Sequence, residues 1–296
     1  MPPDAFTIRS ATAADLPAIN RIYYDEETRD APDAPPYRAL SYFAHLVEAA
    51  EVHVAKCDGT VIGFSGRLLR DGVSFLTDLF VDPGVQSRGA GAALLRAALP
   101  EDGTRRCTYA SSDPRALALY TRADMRPRYP QCSLRATARD IAPLDADGVT
   151  LAPAQPSDQE LLRWDAMVGG RWRPREFTYW FSPCAALPFW LRRGGRTIGY
   201  AVIQQRSPGA VWNPDAYTIG PLGVRDREDA VPAVLAAVEW ARTRAPVVRL
   251  FPPAPHSALA PLLAAGLRIA SMDTFCSSGA APLFDPQRYI ATPDLF

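Results

Sequence analysis

The chain has 296 residues, long enough for two domains, and its 48% hydrophobic and 22% charged residues are the balance of a soluble globular protein with a core to bury. Lysine plus arginine and aspartate plus glutamate stand at 32 each, so no net field draws it to nucleic acid or an anionic membrane, and no run of apolar residues is long enough to span a bilayer. Five cysteines, odd in number, dispersed and never spaced Cys-x-x-Cys, argue against a disulfide framework or a zinc site; with no basic and then apolar N-terminal stretch, a cytoplasmic location is expected.

Phe6 to Ala11 reads as a short strand. Thr12 or Asp15 can cap a helix that starts near Leu16-Pro17 and carries Ile19, Ile22 and Tyr23 on one face. After a loop rich in proline and acid, Tyr42, Phe43 and Leu46 recur at helical spacing. Val52 to Lys56 and Val61 to Gly66 flank Cys57-Asp58-Gly59-Thr60, the pattern of a β-hairpin. Phe75 to Val81 is the next strand, and it runs into Asp82-Pro83-Gly84-Val85-Gln86-Ser87-Arg88-Gly89-Ala90-Gly91, followed by an apolar helix from Gly91 to Leu99. Glycines at a helix start leave backbone N–H groups bare, and the helix dipole adds partial positive charge, so this loop is an anion socket suited to phosphate. A Walker loop is excluded, because Gly91-Ala92-Ala93 stands where Gly-Lys-Ser/Thr is required. A dinucleotide fingerprint is a weak fit: Leu94 takes the third small position, and Arg105-Arg106-Cys107 occupies the place of the ribose-binding acid. Cys107 to Ala110 forms a further strand, and Asp113-Pro114 opens a helix that reaches Tyr120.

Gln86-x-x-Gly89-x-Gly91 after Val81-Asp82-Pro83 resembles motif A of the GNAT superfamily, the acetyl-CoA-dependent N-acetyltransferases, and the order of elements is theirs. A second GNAT signature, Asn-x-x-Ala-x-x-x-Tyr-x-x-x-Gly-Phe, is met at Ala116 and Tyr120; the chain departs from it with Asp113 for the asparagine and Asp124-Met125 for Gly-Phe. The resemblance implies acetyl-CoA as cofactor, its pyrophosphate cradled by Gln86, Ser87, Arg88, Gly89, Ala90, Gly91 and Ala92. It also implies that the pantetheine arm pairs with Leu79, Phe80 and Val81, beside Asp113 and Ala116. Tyr120 is then the candidate general acid, since a phenol near pKa 10 stays protonated at neutral pH and can serve a departing thiolate. Asp78, which strand alternation places with Phe80 and opposite Thr77 and Leu79, is either the base for a protonated amine or a structural hydrogen-bond partner. Glu26 and Glu27 lie where GNAT substrates commonly enter, and read either as a cluster that attracts a cationic amine or as a solvated helix end.

The second half of the chain is a diverged copy. Thr7-Ile8-Arg9 with Asp15 recurs as Thr150-Leu151-Ala152 with Asp158, and Leu79-Phe80-Val81 as Leu222-Gly223-Val224. Val61-Ile62-Gly63-Phe64 is echoed by Thr197-Ile198-Gly199-Tyr200, and Ala116 to Tyr120 by Ala258 to Leu262. In this copy Asp229, Pro232 and Val234 replace Gln86, Gly89 and Gly91, and Leu262 replaces Tyr120, so it is expected to bind no coenzyme A. The expected fold is α/β (α+β): two tandem GNAT-like domains, each a twisted mixed β-sheet flanked by α-helices, at residues 1–140 (catalytic) and 149–296 (structural or substrate-shaping). They would pack as a pseudo-dimer within a monomer. The expected function is direct transfer of an acetyl group to a primary amine of a small molecule in a ternary complex; the alternative is a non-catalytic acyl-CoA sensor or scaffold. The aromatic group Trp172, Phe177, Tyr179, Trp180 and Phe181 reads either as a pocket wall facing the first domain or as core.

Overall fold

The computed structural model describes residues 6–85, 89–293 and 295. The first half runs β1 (Thr7–Ser10), α1 (Leu16–Glu27), α2 (Ser41–Ala49), β2 (Glu51–Cys57), β3 (Thr60–Arg70), β4 (Val73–Val81), α3 (Ala90–Ala98), β5 (Arg105–Ala110), α4 (Pro114–Arg122) and β6 (Arg126–Thr137). The same order returns as β7 (Val149–Pro153), α5 (Gln159–Gly169), α6 (Pro174–Phe181), β8 (Leu187–Arg193), β9 (Arg196–Gln204), β10 (Tyr217–Val224), α7 (Ala230–Arg242), β11 (Val247–Leu250), α8 (Leu259–Ala264) and β12 (Arg268–Ser277), with a short β13 (Tyr289–Ile290) after it.

Local chemistry sets the boundaries. Thr12 and Asp15 form a capping box ahead of α1, satisfying N–H groups that the helix itself cannot. Asp58 and Gly59, both at positive φ (48° and 81°), turn the β2–β3 hairpin. The Asp113 carboxylate accepts from the backbone N–H of Arg115 and caps α4. At the far end of that helix Asp124 takes φ 62°, the left-handed conformation for which glycine is usual, and Met125 is fully buried in the phenylalanine's place.

The strands form one continuous sheet in the order β1-β2-β3-β4-β5-β12-β6-β11-β10-β9-β8-β7, with β13 pairing β10. The two halves exchange their last long strands: β12 lies antiparallel to β5, β6 lies antiparallel to β11, and β6 and β12 pair with each other. A cut between residues 140 and 149 follows the sequence repeat, but the sheet does not divide there, because each half completes the other.

One close approach recurs in both halves. Gly63 opposes Val81 and Gly199 opposes Val224, and in each case the missing Cβ lets the carbonyl of the residue before that valine approach. One face of the sheet carries a single core that joins α1 and α2 to α5 and α6 across both halves. Phe177 and Trp180 are buried in it, and Tyr179 stacks on His45 and lies 3.3 Å from the Ser41 hydroxyl. Phe177, Tyr179, Trp180 and Phe181 thus belong to the joint between the halves rather than to a pocket wall, whereas Trp172 is exposed. The other face is covered by α3 and α4 over one half and by α7 and α8 over the other. Among the described residues no helix is long and apolar enough to cross a membrane, and no group of side chains is placed to hold a metal ion.

Candidate active site

The site is built on a parting of two parallel strands. β4 and β5 pair only where Val73, Ser74 and Phe75 meet Arg105, Arg106 and Cys107; beyond that they diverge, and the Thr108 hydroxyl donates to the Leu76 carbonyl at 2.9 Å to close the last rung. Just past this point β4 carries a bulge. The β3 partners shift from Asp78 opposite Gly66 to Leu76 opposite Arg67, which leaves Thr77 as the extra residue.

The bulge resets the alternation of the strand. Phe75 and Phe80 face the core under α1 and α2, whereas Leu76 and Leu79 face α3 and α4. Asp78 keeps company with Phe80, as alternation requires, and its carboxylate accepts a hydrogen bond from the Tyr42 hydroxyl of α2 at 2.9 Å in a buried setting. Without the bulge the registry set by Phe75 and Leu76 would carry Asp78 to the opposite face.

The parting opens into a cleft of about 560 Å³. Thr77 to Val81 line one side; Tyr109 and Ser111, with Asp113, Ala116 and Tyr120 of α4, line the other; Gly89 to Ala92 and the pair Glu26 and Glu27 complete it. Thirteen of the sequence-derived site residues therefore share one cavity: Glu26, Glu27, Asp78, Leu79, Phe80, Val81, Gly89, Ala90, Gly91, Ala92, Asp113, Ala116 and Tyr120. Gln86, Ser87 and Arg88 lie outside the described residues.

Gly89 is the N-cap of α3 at φ 86°, a left-handed conformation, and as a glycine it has no side chain of its own to cap the helix. Among the described residues an ideal Cβ on Gly89 would meet nothing within 4 Å, so the glycine serves the backbone turn. The first N–H groups of α3 follow a glycine N-cap on the cleft, an arrangement suited to receiving a phosphate. Among the described residues the buried Thr77 hydroxyl has no hydrogen-bond partner; it sits at the bulge and offers a polar group to whatever fills the cleft. These residues fit the coenzyme that the sequence implies.

Tyr120 is buried, and that burial, with the charge of Asp78 adding to it, raises its phenol above the ordinary tyrosine range. Asp113 is held below the usual carboxylate range, first by the side-chain hydrogen bond from Arg115, whose guanidinium lies 2.9–3.1 Å from the carboxylate. Its oxygens are thus engaged by its own helix start, at the rim of the cleft. Glu26 is paired with Arg29. The residues that sequence reasoning missed are Tyr42, Gly66 and Thr108. The signal for the bulge was a polar Thr77-Asp78 pair inside an apolar strand, opposite a glycine: an ideal Cβ on Gly66 would lie 2.3 Å from the Thr77 hydroxyl oxygen.

The second half repeats the parting and then fills it. β10 and β11 pair only from Tyr217 to Ile219, and a register shift follows, with Gly220-Pro221 in the place of Thr77-Asp78. Beyond it, β13 lies antiparallel to β10, Leu222 opposite Ile290 and Gly223 opposite Tyr289, and Val224 N–H donates to the Arg288 carbonyl at 3.0 Å. Leu222, Gly223 and Val224 are the counterparts of Leu79, Phe80 and Val81, so the chain's own end occupies the slot that stays open in the first half. Tyr289 is locked in place: the Arg173 guanidinium donates to its hydroxyl and, at 2.7 Å, to both oxygens of the fully buried Asp165. At the head of α7, Asp229 accepts from Arg193 at 2.9 Å, and Pro232, Val234 and Leu262 are buried.

Residues 16–125 match the model of the acetyltransferase (GNAT) family. No curated protein matches the chain. Among solved structures, a putative acetyltransferase from Pyrococcus horikoshii is 16% identical with a TM-score of 0.72, covering 98% of this chain and 95% of its own. A GCN5-related N-acetyltransferase from Sphaerobacter thermophilus is 19% identical with a TM-score of 0.65, covering 96% and 99%. A tandem GNAT protein from the clavulanic acid biosynthesis pathway is 17% identical with a TM-score of 0.63, covering 94% and 99%. Residues 16–125 are thus similar to the GNAT acetyltransferase family, and along its length the chain has the fold of these structures, a tandem GNAT protein among them.

Proposed function

We propose that the first half, residues 1–140, transfers the acetyl group of acetyl-CoA to a primary amine of a small molecule by direct attack in a ternary complex. The second half, residues 149–296, supports and shapes that site in a monomeric, cytoplasmic enzyme. The observation that carries this reading is the parting of β4 from β5, with the glycine N-cap of a helix at one end and Asp78 and Tyr120 on its two sides.

Acetyl-CoA, when bound, supplies the acyl group as a reactive thioester. The chain's part is to bind, orient and move protons. The β4 backbone from Leu79 to Val81, past its last rung with β5, can pair with an extended amide-bearing arm in the manner of an added strand. The N–H groups at the start of α3 take the pyrophosphate. Asp78, fixed by Tyr42, is placed to accept a proton from an ammonium acceptor, and Glu26 and Glu27 give the cleft the charge that draws such a cation. Tyr120 keeps its proton at neutral pH. Because its phenol is raised well above a thiol, it serves the departing sulfur by hydrogen bonding rather than by releasing the proton outright.

The test is calorimetric titration of acetyl-CoA into wild type and into a Gly89→Val/Gly91→Val variant. The expected result is one site per chain, abolished by the variant. No binding to wild type overturns the cofactor assignment, and two sites would mean that the second half is not silent. An amine panel then separates the enzyme from a sensor: tight acetyl-CoA binding with no amine acetylated favours the sensor.

A further inference from the structure

A second cleft, of about 760 Å³, lies away from the first, where β6, β11 and β12 meet the start of the loop after β6. Its polar lining comes from Arg135, Arg268, Thr137, Asn213 and Asp140. The strand registers place Arg268 of β12 directly opposite Arg135 of β6, and Arg135 directly opposite Arg249 of β11. Residues directly opposed in antiparallel pairs project from the same face, so three guanidinium side chains stand in one row across three adjacent strands.

Like charges directly opposed across strands are destabilising, and the chain does little to relieve them. Arg249 is turned toward β10, where its Nε donates to the Thr218 hydroxyl at 2.6 Å. Arg135 and Arg268 are exposed and, among the described residues, have neither an ion pair nor a hydrogen bond. The lining holds one carboxylate, Asp140, whose nearest ion-pair partner is Arg139 at 3.8 Å. Elsewhere in the molecule arginines in comparable positions are answered: Arg67 by Glu51 and Asp102, Arg193 by Asp147 and Asp229.

From this we infer that the cleft is a binding site for a small doubly charged oxyanion, a phosphate group or a compact dicarboxylate, gripped between Arg135 and Arg268. Two opposed guanidinium forks present parallel N–H donors that match the oxygens of such a group, and Asn213 and Thr137 supply neutral donors beside them. The cleft is of the size that small-molecule sites commonly have. This site does not depend on acetyl transfer, and it lies in a part of the fold that the active site does not use.

The experiment is calorimetry with inorganic phosphate, at ionic strength held constant with sodium chloride, on three proteins: wild type, Arg135→Gln/Arg268→Gln, and Gly89→Val/Gly91→Val. The last variant removes the other anion socket, at α3. The expected result is a phosphate site that survives in the glycine variant and weakens by at least about tenfold in the arginine variant. Phosphate should also raise the melting temperature of wild type but not of the arginine variant. In phosphate-free buffer the arginine variant should melt no lower than wild type, because it sheds repulsion rather than a bond. Succinate run in parallel identifies the source: binding of either dianion at the arginine row supports the site. Phosphate and succinate heats unchanged by Arg135→Gln/Arg268→Gln, or no phosphate binding beyond what the glycine variant abolishes together with no succinate binding, would overturn it.

Discussion

The paired glycines allow the same perturbation to be applied to both halves. In Gly63→Ala the new methyl would lie 2.7 Å from the Phe80 carbonyl oxygen, and in Gly199→Ala it would lie 2.3 Å from the Gly223 carbonyl oxygen. Real Cβ contacts essentially never fall below 3.0 Å, so the neighbouring strand must yield by at least about 0.3 Å in the first case and about 0.7 Å in the second. Both obstacles are backbone in the middle of a sheet, which cannot rotate away as a side chain can. Overpacking of this kind costs about 1–3 kcal/mol, so Gly63→Ala should lose about 1 kcal/mol and Gly199→Ala about 2–3 kcal/mol, read as a lower urea midpoint at unchanged slope. Function should rank the other way. Phe80 lines the cleft, and a misplacement of about 1 Å near reacting groups costs about 100-fold, so a shift of a third of that should lower kcat/KM by roughly 3- to 10-fold. Gly223 faces β13, not a substrate, so Gly199→Ala should keep full activity per folded molecule in spite of its larger stability loss. Equal activity losses in the two variants would refute the asymmetry between the halves. Unchanged urea midpoints would refute the close approaches themselves.

Tyr120→Phe should lower kcat by about 100-fold or more while acetyl-CoA affinity in calorimetry stays within about twofold; full turnover would remove Tyr120 from the chemistry. Burial holds the His256 imidazole at about 4, against about 6.5 unfolded, so folding favours its neutral form. That stability is fully present above pH 6.5 and lost as pH falls toward 4, about 2 kcal/mol being gone by pH 5; His256→Asn, which keeps an acceptor for the Ala258 N–H, should flatten the urea midpoint between pH 7 and 5, and an unchanged slope would contradict the assignment. Arg173→Met should destabilise by about 3–5 kcal/mol, because it strands the fully buried carboxylate of Asp165, and Arg173→Met/Asp165→Leu should recover part of that loss; a double variant no better than the single one would show that the charge pair is not the cause.

What was legible in the sequence is what short stretches determine. Asp58-Gly59 turns a hairpin, Asp113-Pro114 starts a helix and Gly89 breaks into the left-handed region, each because a residue or its neighbour permits few alternatives. The active-site residues lay within these local signals, so most of the cleft could be named from the letters. Three features were not legible, and each depends on partners distant in the chain. The bulge at Thr77 is set against Gly66 on another strand. The exchange of β6 and β12 needs strands about 140 residues apart to choose each other over the nearer edge. Tyr289-Ile290 is too short to read as a strand; it becomes one because β10 and β11 have parted and an edge is free to take it.

In the proposed reading, the silence of the second half would rest on two separate losses. At the head of α7, Asp229 is engaged by Arg193 and Val234 is buried, where the first half has Gln86 and Gly91. In the slot, Tyr289 and Ile290 take the β10 edge, and Arg173 and Asp165 hold the tyrosine there. Either loss would be enough against a pantetheine arm with a pyrophosphate behind it, so restoring glycines at 232 and 234 would leave the slot still filled. The strand exchange gives the degenerate copy a role all the same. β5, which forms one side of the open cleft, is flanked on its other edge by Thr274 to Ser277 of β12, and Tyr109 packs against Phe275. The second half thus supplies the strand that flanks the first half's cleft, and the folded unit is the whole chain rather than its first 140 residues.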